Sequence, residues 1–289
     1  MYAAYWNLKL KPFLNVMDRR FLFTSSQHEE AIARLQFIAE NNRLAGVLTG
    51  IYGIGKSTVL KIVASNLETQ HRYRLPVICM DAIPDGLLPM MRTILDAMKV
   101  DSAATTLPDA LMDLWRTANA RPDSLTRTIL CIDEAHYLAT EEGFYFVHYL
   151  TNLRRTDRRT QAEEPLFSVI LSGAPELVPA IHSAPSLRQR VQISYEITPL
   201  TAAQTTAYVQ HHMRLAGGDI WSFGGPALDA IHRISGGIPR KINLLCDTAL
   251  MLGYAAQVNQ VTPAIIQQAA GDAGLKPAPP PPIQQENVR

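Results

Sequence analysis

The sequence predicts an α/β fold: a parallel sheet of about five strands covered by helices on both faces, followed by a smaller all-helical domain. Three observations predict it. The stretch Gly50-Ile51-Tyr52-Gly53-Ile54-Gly55-Lys56-Ser57-Thr58 lies between a short, apolar, β-branched run and a run with apolar residues at helical spacing. Five apolar runs alternate with helical segments, and no hairpin signal joins any two of them. After Thr201 β character vanishes and only helical periodicity remains.

Taken in order, residues 1–25 are rich in aromatics and carry Lys11-Pro12-Phe13, which reads as an extended arm laid over the main domain. Ser26 and Glu29 make a capping box before a helix over 27–42, with Ala31, Leu35 and Ile38 on one face. Gly46-Val47-Leu48-Thr49 is the first strand, and the helix after the glycine stretch runs to about Leu67. Further strands are expected at 75–80, 127–134, 166–172 and 191–197, with helices at 86–99, 108–120 and 144–153 and a polar segment at 154–164. Helices at 202–216, 226–234, 239–256 and 262–270 make up the second domain. The expected division is an arm at 1–25, an α/β domain at 26–200, a helical lid at 201–271 and a proline-rich tail at 272–289.

The 289 residues are 47% hydrophobic and 18% charged, enough for a sizeable core, and the net charge of +1 advertises neither nucleic acid nor an anionic membrane. Cys79, Cys131 and Cys246 are too far apart for a zinc spacing or a disulfide framework, and the first two lie in apolar runs that read as buried. There is no signal peptide pattern and no integral membrane segment, since the best apolar run, 244–258, contains Asp247. The reading is cytoplasmic, with the inner-membrane face as a further address.

The glycine stretch fits G-x-x-x-x-G-K-[ST], the phosphate-binding loop of P-loop NTPases, and its flanks are the strand and helix that the motif needs. Gly50, Gly53 and Gly55 let the backbone of 50–58, with Ile54 and Thr58, turn its amides onto a polyphosphate. The helix start adds unpaired amides and a positive dipole end. Lys56 is placed to reach the β- and γ-phosphates and the Ser57 hydroxyl to bind Mg²⁺.

Ile129-Leu130-Cys131-Ile132-Asp133-Glu134 is an apolar strand delivering two carboxylates at its tip. Asp133 is expected to hold Mg²⁺ and Glu134 to polarise the attacking water. Asp133-Glu134-Ala135-His136 also spells the box of one helicase group, a spelling read as coincidental because no other helicase motif follows. The guanine-recognition pattern Asn-Lys-x-Asp is absent, so ATP is favoured over GTP by elimination. Ser172 is either a γ-phosphate sensor or a turn residue. Arg188 and Arg190 are either an arginine finger reaching a neighbouring subunit or a solvated pair. Arg240 is either a cation over the nucleotide or an exposed first-turn residue.

With these pieces in place the sequence resembles the AAA+ ATPases, and more narrowly the ExeA/GspA-type family. The likeness rests on Tyr2, Leu8, Pro12-Phe13, Phe21-Leu22-Phe23, His28, Ala31 and Leu35. It continues through the loop, Asp133-Glu134-Ala135-His136, Gly173-Ala174-Pro175-Glu176-Leu177, residues 187–191 and Gly237-Ile238-Pro239-Arg240-Lys241-Ile242-Asn243. The resemblance implies ATP between sheet and lid, ring or filament assembly, Arg240 as second sensor and Pro12-Phe13 near the base. Ala174 departs from the glutamine of many relatives. Relatives serving secretion carry a membrane span and a peptidoglycan-binding domain after the ATPase, where this sequence has its proline-rich tail.

The leading expectation is an ATPase that powers or regulates a secretion, pilus or envelope-assembly system through partners of that apparatus. The alternative is a DNA-binding regulator of transposition of the TniB/TnsC kind, acting with a transposase. Its support is Arg154, Arg155, Arg158 and Arg159, which could meet the phosphate backbone of duplex DNA or form an ordinary solvated loop. A nucleotide-binding scaffold that switches without turnover is a third class.

Overall fold

The computed structural model describes residues 1–15, 19–69, 75–84, 86–120, 125–156 and 162–275. These fall into two compact units, one of Met1–Ser25 with Pro199–Arg289 and the other of Ser26–Thr198. The chain opens with one helical turn, α1 (Tyr2–Tyr5), in the first of these.

The α/β unit then runs α2 (Ser26–Glu40), β1 (Ala45–Thr49), α3 (Lys56–Thr69), β2 (Val77–Asp81), α4 (Leu87–Ala97), α5 (Leu107–Ala120) and β3 (Thr128–Asp133). It continues α6 (Glu141–Asn152), β4 (Arg154–Thr156), β5 (Glu163–Pro165), β6 (Phe167–Gly173), α7 (Leu177–His182), α8 (Pro185–Arg188) and β7 (Val191–Glu196). All five expected strands pair in parallel, in the order β2-β3-β6-β1-β7. Strand period sorts their side chains. Leu48, Ile129, Cys131 and Ile170 face α2 and α3 in one buried cluster, while Val47, Leu130, Ile132, Val169 and Leu171 face the other. Burial on both faces explains why these strands read as continuous apolar runs.

Arg127 pins the amino-terminal edge. Its Nη2 donates to the Ala39 carbonyl at 2.7 Å and to Ser168 Oγ at 2.8 Å, and Ser168 Oγ donates to the Arg43 carbonyl at 2.6 Å. Burial lowers its pKa to about 10, against the opposing field of Glu164.

Three expectations need correction. The polar segment is not simply a loop: β4 and β5 pair antiparallel at its two ends, a small ribbon set apart from the main sheet. Cys79 is exposed, because β2 is the edge strand of the sheet. Residues 1–25 do not join the α/β domain but pack within the helical unit. The reason is that amphipathic aromatics need apolar contact and an acceptor together. Trp6 Nε1 donates to the Leu250 carbonyl at 2.8 Å, Tyr5 to the Val258 carbonyl at 2.9 Å and Tyr2 to Asp247 at 2.5 Å.

That unit is completed by α9 (Ala202–Leu215), α10 (Gly225–Ser235), α11 (Pro239–Ala255) and α12 (Pro263–Asp272). A capping box starts α9, with Thr201 accepting from the Gln204 amide and the Gln204 side chain accepting from the Thr201 amide. Gly237 lies at φ 73° between α10 and α11, and a Cβ there would come 2.1 Å from the Leu200 carbonyl oxygen. Only glycine fits. Among the described residues no helix is long and apolar enough to cross a membrane.

His212 sits at the heart of this unit. Phe13 and Phe21 each stack on it with ring centroids 5.7 Å away, Tyr208 lies at 4.0 Å, and its Nδ1 donates to the Tyr208 carbonyl at 2.9 Å. Desolvation lowers its pKa from 6.5 to about 4. The unfolded chain therefore binds a proton that the folded one refuses between those values. The unit should be at full stability above pH 6.5 and lose up to ~3 kcal/mol as the pH falls towards 4. Urea unfolding followed by Trp6 fluorescence, with Trp115 and Trp221 replaced by Phe, measures this; His212→Phe should flatten the dependence.

Candidate functional site

Strand register builds the site. Leu171 of β6 pairs with both Ile132 of β3 and Val47 of β1, so the carboxyl ends of three parallel strands open at one edge. Open α/β sheets bind ligands at that edge, where the strand order reverses. Here β1 leads into the glycine loop and β3 ends in Asp133.

The Asp133 carboxylate, 9% exposed, is held on both oxygens. Ser57 Oγ donates to Oδ2 at 2.5 Å, while Ser172 Oγ at 2.8 Å and the Glu134 amide at 2.9 Å donate to Oδ1. Ser57 and Asp133 lie 76 positions apart in sequence, yet the fold brings them into direct contact. Ser172 is fully buried, and its hydroxyl orients the carboxylate.

The loop has the conformation of an anion cradle. Gly53 and Gly55 take φ of 80° and 111°, open to glycine at little cost. A Cβ on Gly55 would come 2.9 Å from His28 Nε2, and one on Gly50 would come 2.8 Å from the Ile197 carbonyl oxygen. Ile54 plugs the loop into the core at 1% exposure. The first turn of α3, which contains Lys56, Ser57 and Thr58, has no acidic residue to oppose an anion. Lys56 Nζ donates to the Gly50 carbonyl at 2.8 Å and to that of Ile51 at 3.4 Å. Burial lowers its pKa, while the fields of Glu134, Asp133 and Glu176 raise it. A lysine side chain inside the glycine loop, beside a serine–aspartate pair, suits a triphosphate with a hard, oxygen-bound cation.

His136 and His28, quoted in the sequence analysis only for motif or family likeness and given no role in the site, also belong here. His136 places Nε2 3.1 Å from the Tyr52 hydroxyl and Nδ1 3.4 Å from Glu134 Oε2, linking the loop to the acidic strand end. The signal was visible in the box spelling that was read as coincidental. Glu134 stands at φ 51°, a left-handed conformation that a non-glycine residue adopts at a cost and that is often found at functional sites. His28 supports the loop from α2, with Nε2 3.2 Å from the Ile54 carbonyl, and burial lowers its pKa.

The remaining candidates are spread more widely. Arg188 is exposed at the end of α8, and its side chain makes no hydrogen bond or ion pair with any described residue. Arg190 Nε donates to His148 Nδ1 at 2.9 Å, anchoring it to α6. Arg154 Nη1 donates to the Thr151 carbonyl at 2.9 Å, capping the end of α6, and Arg155 lies beside it in β4. Arg158 and Arg159 lie outside the described residues, as does the tail from 276 onward. In the helical unit Arg240 is exposed in the first turn of α11, Pro12 is buried, and the ring of Phe13 is 2% exposed, enclosed by His212 and Phe223.

Comparison with known proteins places this architecture. Residues 39–181 match the model of the AAA domain family. General secretion pathway protein A of Aeromonas hydrophila is 31% identical over 279 residues, or 93% of this chain and 48% of that protein. The chain thus spans about half the length of that curated relative. Among solved structures, the Aeropyrum pernix ORC1 protein in complex with DNA has a TM-score of 0.67 at 14% identity, covering 89% of this chain and 68% of that one. The Thermotoga maritima RuvB Holliday junction branch migration motor has a TM-score of 0.53 at 17% identity, covering 84% and 68%. At those identities the two share the fold alone. Residues 39–181 are thus an AAA domain, and the chain as a whole is similar to general secretion pathway protein A.

Proposed function

We propose that the chain hydrolyses ATP with Mg²⁺ and works as a self-assembling motor or switch in a secretion-type apparatus. The observation that carries the reading is the 2.5 Å contact between Ser57 and Asp133, a cation-binding hydroxyl and carboxylate brought together at the phosphate loop. The secretion context is supported by the likeness to general secretion pathway protein A.

In this reading the amides of 50–58 bind the β- and γ-phosphates, and Lys56 turns from its loop carbonyls to the same oxygens. Ser57 and Asp133 hold the ion, with Ser172 keeping the carboxylate aimed. Bound Mg²⁺ supplies charge neutralisation for the phosphoryl oxygens. Glu134 accepts a proton from the attacking water, and His136 positions it relative to Tyr52. Arg188, exposed and uncommitted among the described residues, is the finger offered to a neighbouring copy, whereas Arg190 is anchored to His148. Of the arginines considered for DNA, Arg154 caps α6, and Arg158 and Arg159 lie outside the described residues.

Glu134→Gln should retain ATP affinity and lose hydrolysis by about 100-fold or more, and Lys56→Ala should lose both, read by nucleotide titration and phosphate release. Retained turnover in Glu134→Gln would sink the assignment. Arg188→Ala should be inactive alone but regain part of the wild-type rate when mixed with Glu134→Gln, because the Glu134→Gln neighbour supplies the arginine that an Arg188→Ala site with intact Glu134 lacks. Mixtures no more active than their components would rule out a finger supplied in trans.

A further inference from the structure

We propose that Cys79 and Cys131 form a redox-sensitive pair at the edge of the sheet, oxidised by a peroxide to a disulfide that disturbs the Asp133 end of β3. The effect on hydrolysis rests on the function proposed above; formation of the bond does not.

The placement follows from register. Cys79 on β2 and Cys131 on β3 are direct partners in the parallel ladder. Neighbouring strands lie about 4.8 Å apart, inside the Cα separation that a disulfide spans. Side chains of direct partners leave a sheet on the same face, so the two sulfurs stand side by side. Their exposures are opposite: Cys79 is open to solvent on the edge strand, and Cys131 is 1% exposed among Leu48, Ile129 and Ile170. One sulfur can meet an oxidant, and the other is reached only through the first.

The chemistry balances. The Cys79 thiolate attacks one oxygen of the peroxide, the O–O bond breaks, and hydroxide leaves to become water, giving a sulfenic acid. The Cys131 sulfur then attacks the Cys79 sulfur; the S–S bond forms, the S–O bond breaks, and the departing hydroxyl takes the Cys131 proton as a second water. Two thiols give up two electrons and the peroxide accepts them.

The consequence lies two residues along β3. A disulfide draws its Cβ atoms to about 3.8 Å, closer than open strands stand, so β3 must shift towards β2. Asp133 then moves away from the Ser57 and Ser172 hydroxyls that now meet it within 2.8 Å. Displacements of about 1 Å at a reacting centre can cost roughly 100-fold in rate.

The test uses the full chain treated with hydrogen peroxide under native conditions, then denatured, alkylated and weighed intact. The reduced protein should take up an alkyl group on each of its three cysteines. The oxidised protein should take up only the group on Cys246, with a reducible cross-link between the peptides carrying Cys79 and Cys131. Cys79→Ser should show no loss of alkylation, and Cys131→Ala should leave Cys79 as a sulfenic acid that dimedone captures. Hydrolysis should fall about tenfold or more on oxidation and return with a dithiol reductant, but not fall in Cys79→Ser. Oxidation of Cys79 with Cys131 still free to alkylate would overturn the pair. A bond that forms while hydrolysis is unchanged would overturn the switch.

Discussion

Three donors converge on the Asp133 carboxylate: the Ser57 hydroxyl, the Ser172 hydroxyl and the Glu134 amide. A carboxylate this buried is costly unless its lone pairs are satisfied, and here each oxygen has a partner. The three donors come from the helix after the glycine loop, from β6 and from the left-handed residue that ends β3. Strand order, register and loop conformation all have to be right for that carboxylate to be tolerated. The site is therefore a consequence of the sheet, and errors anywhere in the register would appear first at Asp133.

Rigid support on both sides of the loop serves the same end. Ile54 is sunk into the α2–α3 cluster, and His28 fills the space that any side chain on Gly55 would need. Burial disfavours the charge on Lys56, and the fields of Glu134, Asp133 and Glu176 oppose that effect. On the function proposed above, such preorganisation spares a phosphate the cost of ordering the loop and leaves more of its binding energy for the reaction. His136, lying between Tyr52 and Glu134, gives the acidic strand end a connection to the loop that the three glycines could not provide.

Much of this was legible because local pattern and global fold agree. A loop motif with a strand before it and a helix after it, and an apolar strand ending in two carboxylates, can be read without knowing the pairing. Side chains whose meaning depends on a distant neighbour could not be read that way. Ser172 looked like a sensor or a turn residue until register set it against Asp133. Cys79 looked buried because its run is apolar, and only the strand order shows that it lies on an edge. The aromatic arm gave no sign of its destination, since Trp6 and Tyr5 find their acceptors on Leu250 and Val258, far along the chain. The ribbon at 154–165 was missed because its strands are three residues each and polar, below any periodicity signal.

If one ion joins the two distant parts of the chain, its ligands must be energetically coupled. Nucleotide-dependent binding of Mn²⁺, a paramagnetic stand-in, can be titrated in Ser57→Ala, Asp133→Asn and the double variant. The expected result is a loss of about tenfold or more in each single variant and a double variant hardly weaker than the worse of them, a coupling above ~1 kcal/mol. Strictly additive losses, or wild-type Mn²⁺ affinity in Asp133→Asn, would contradict the account.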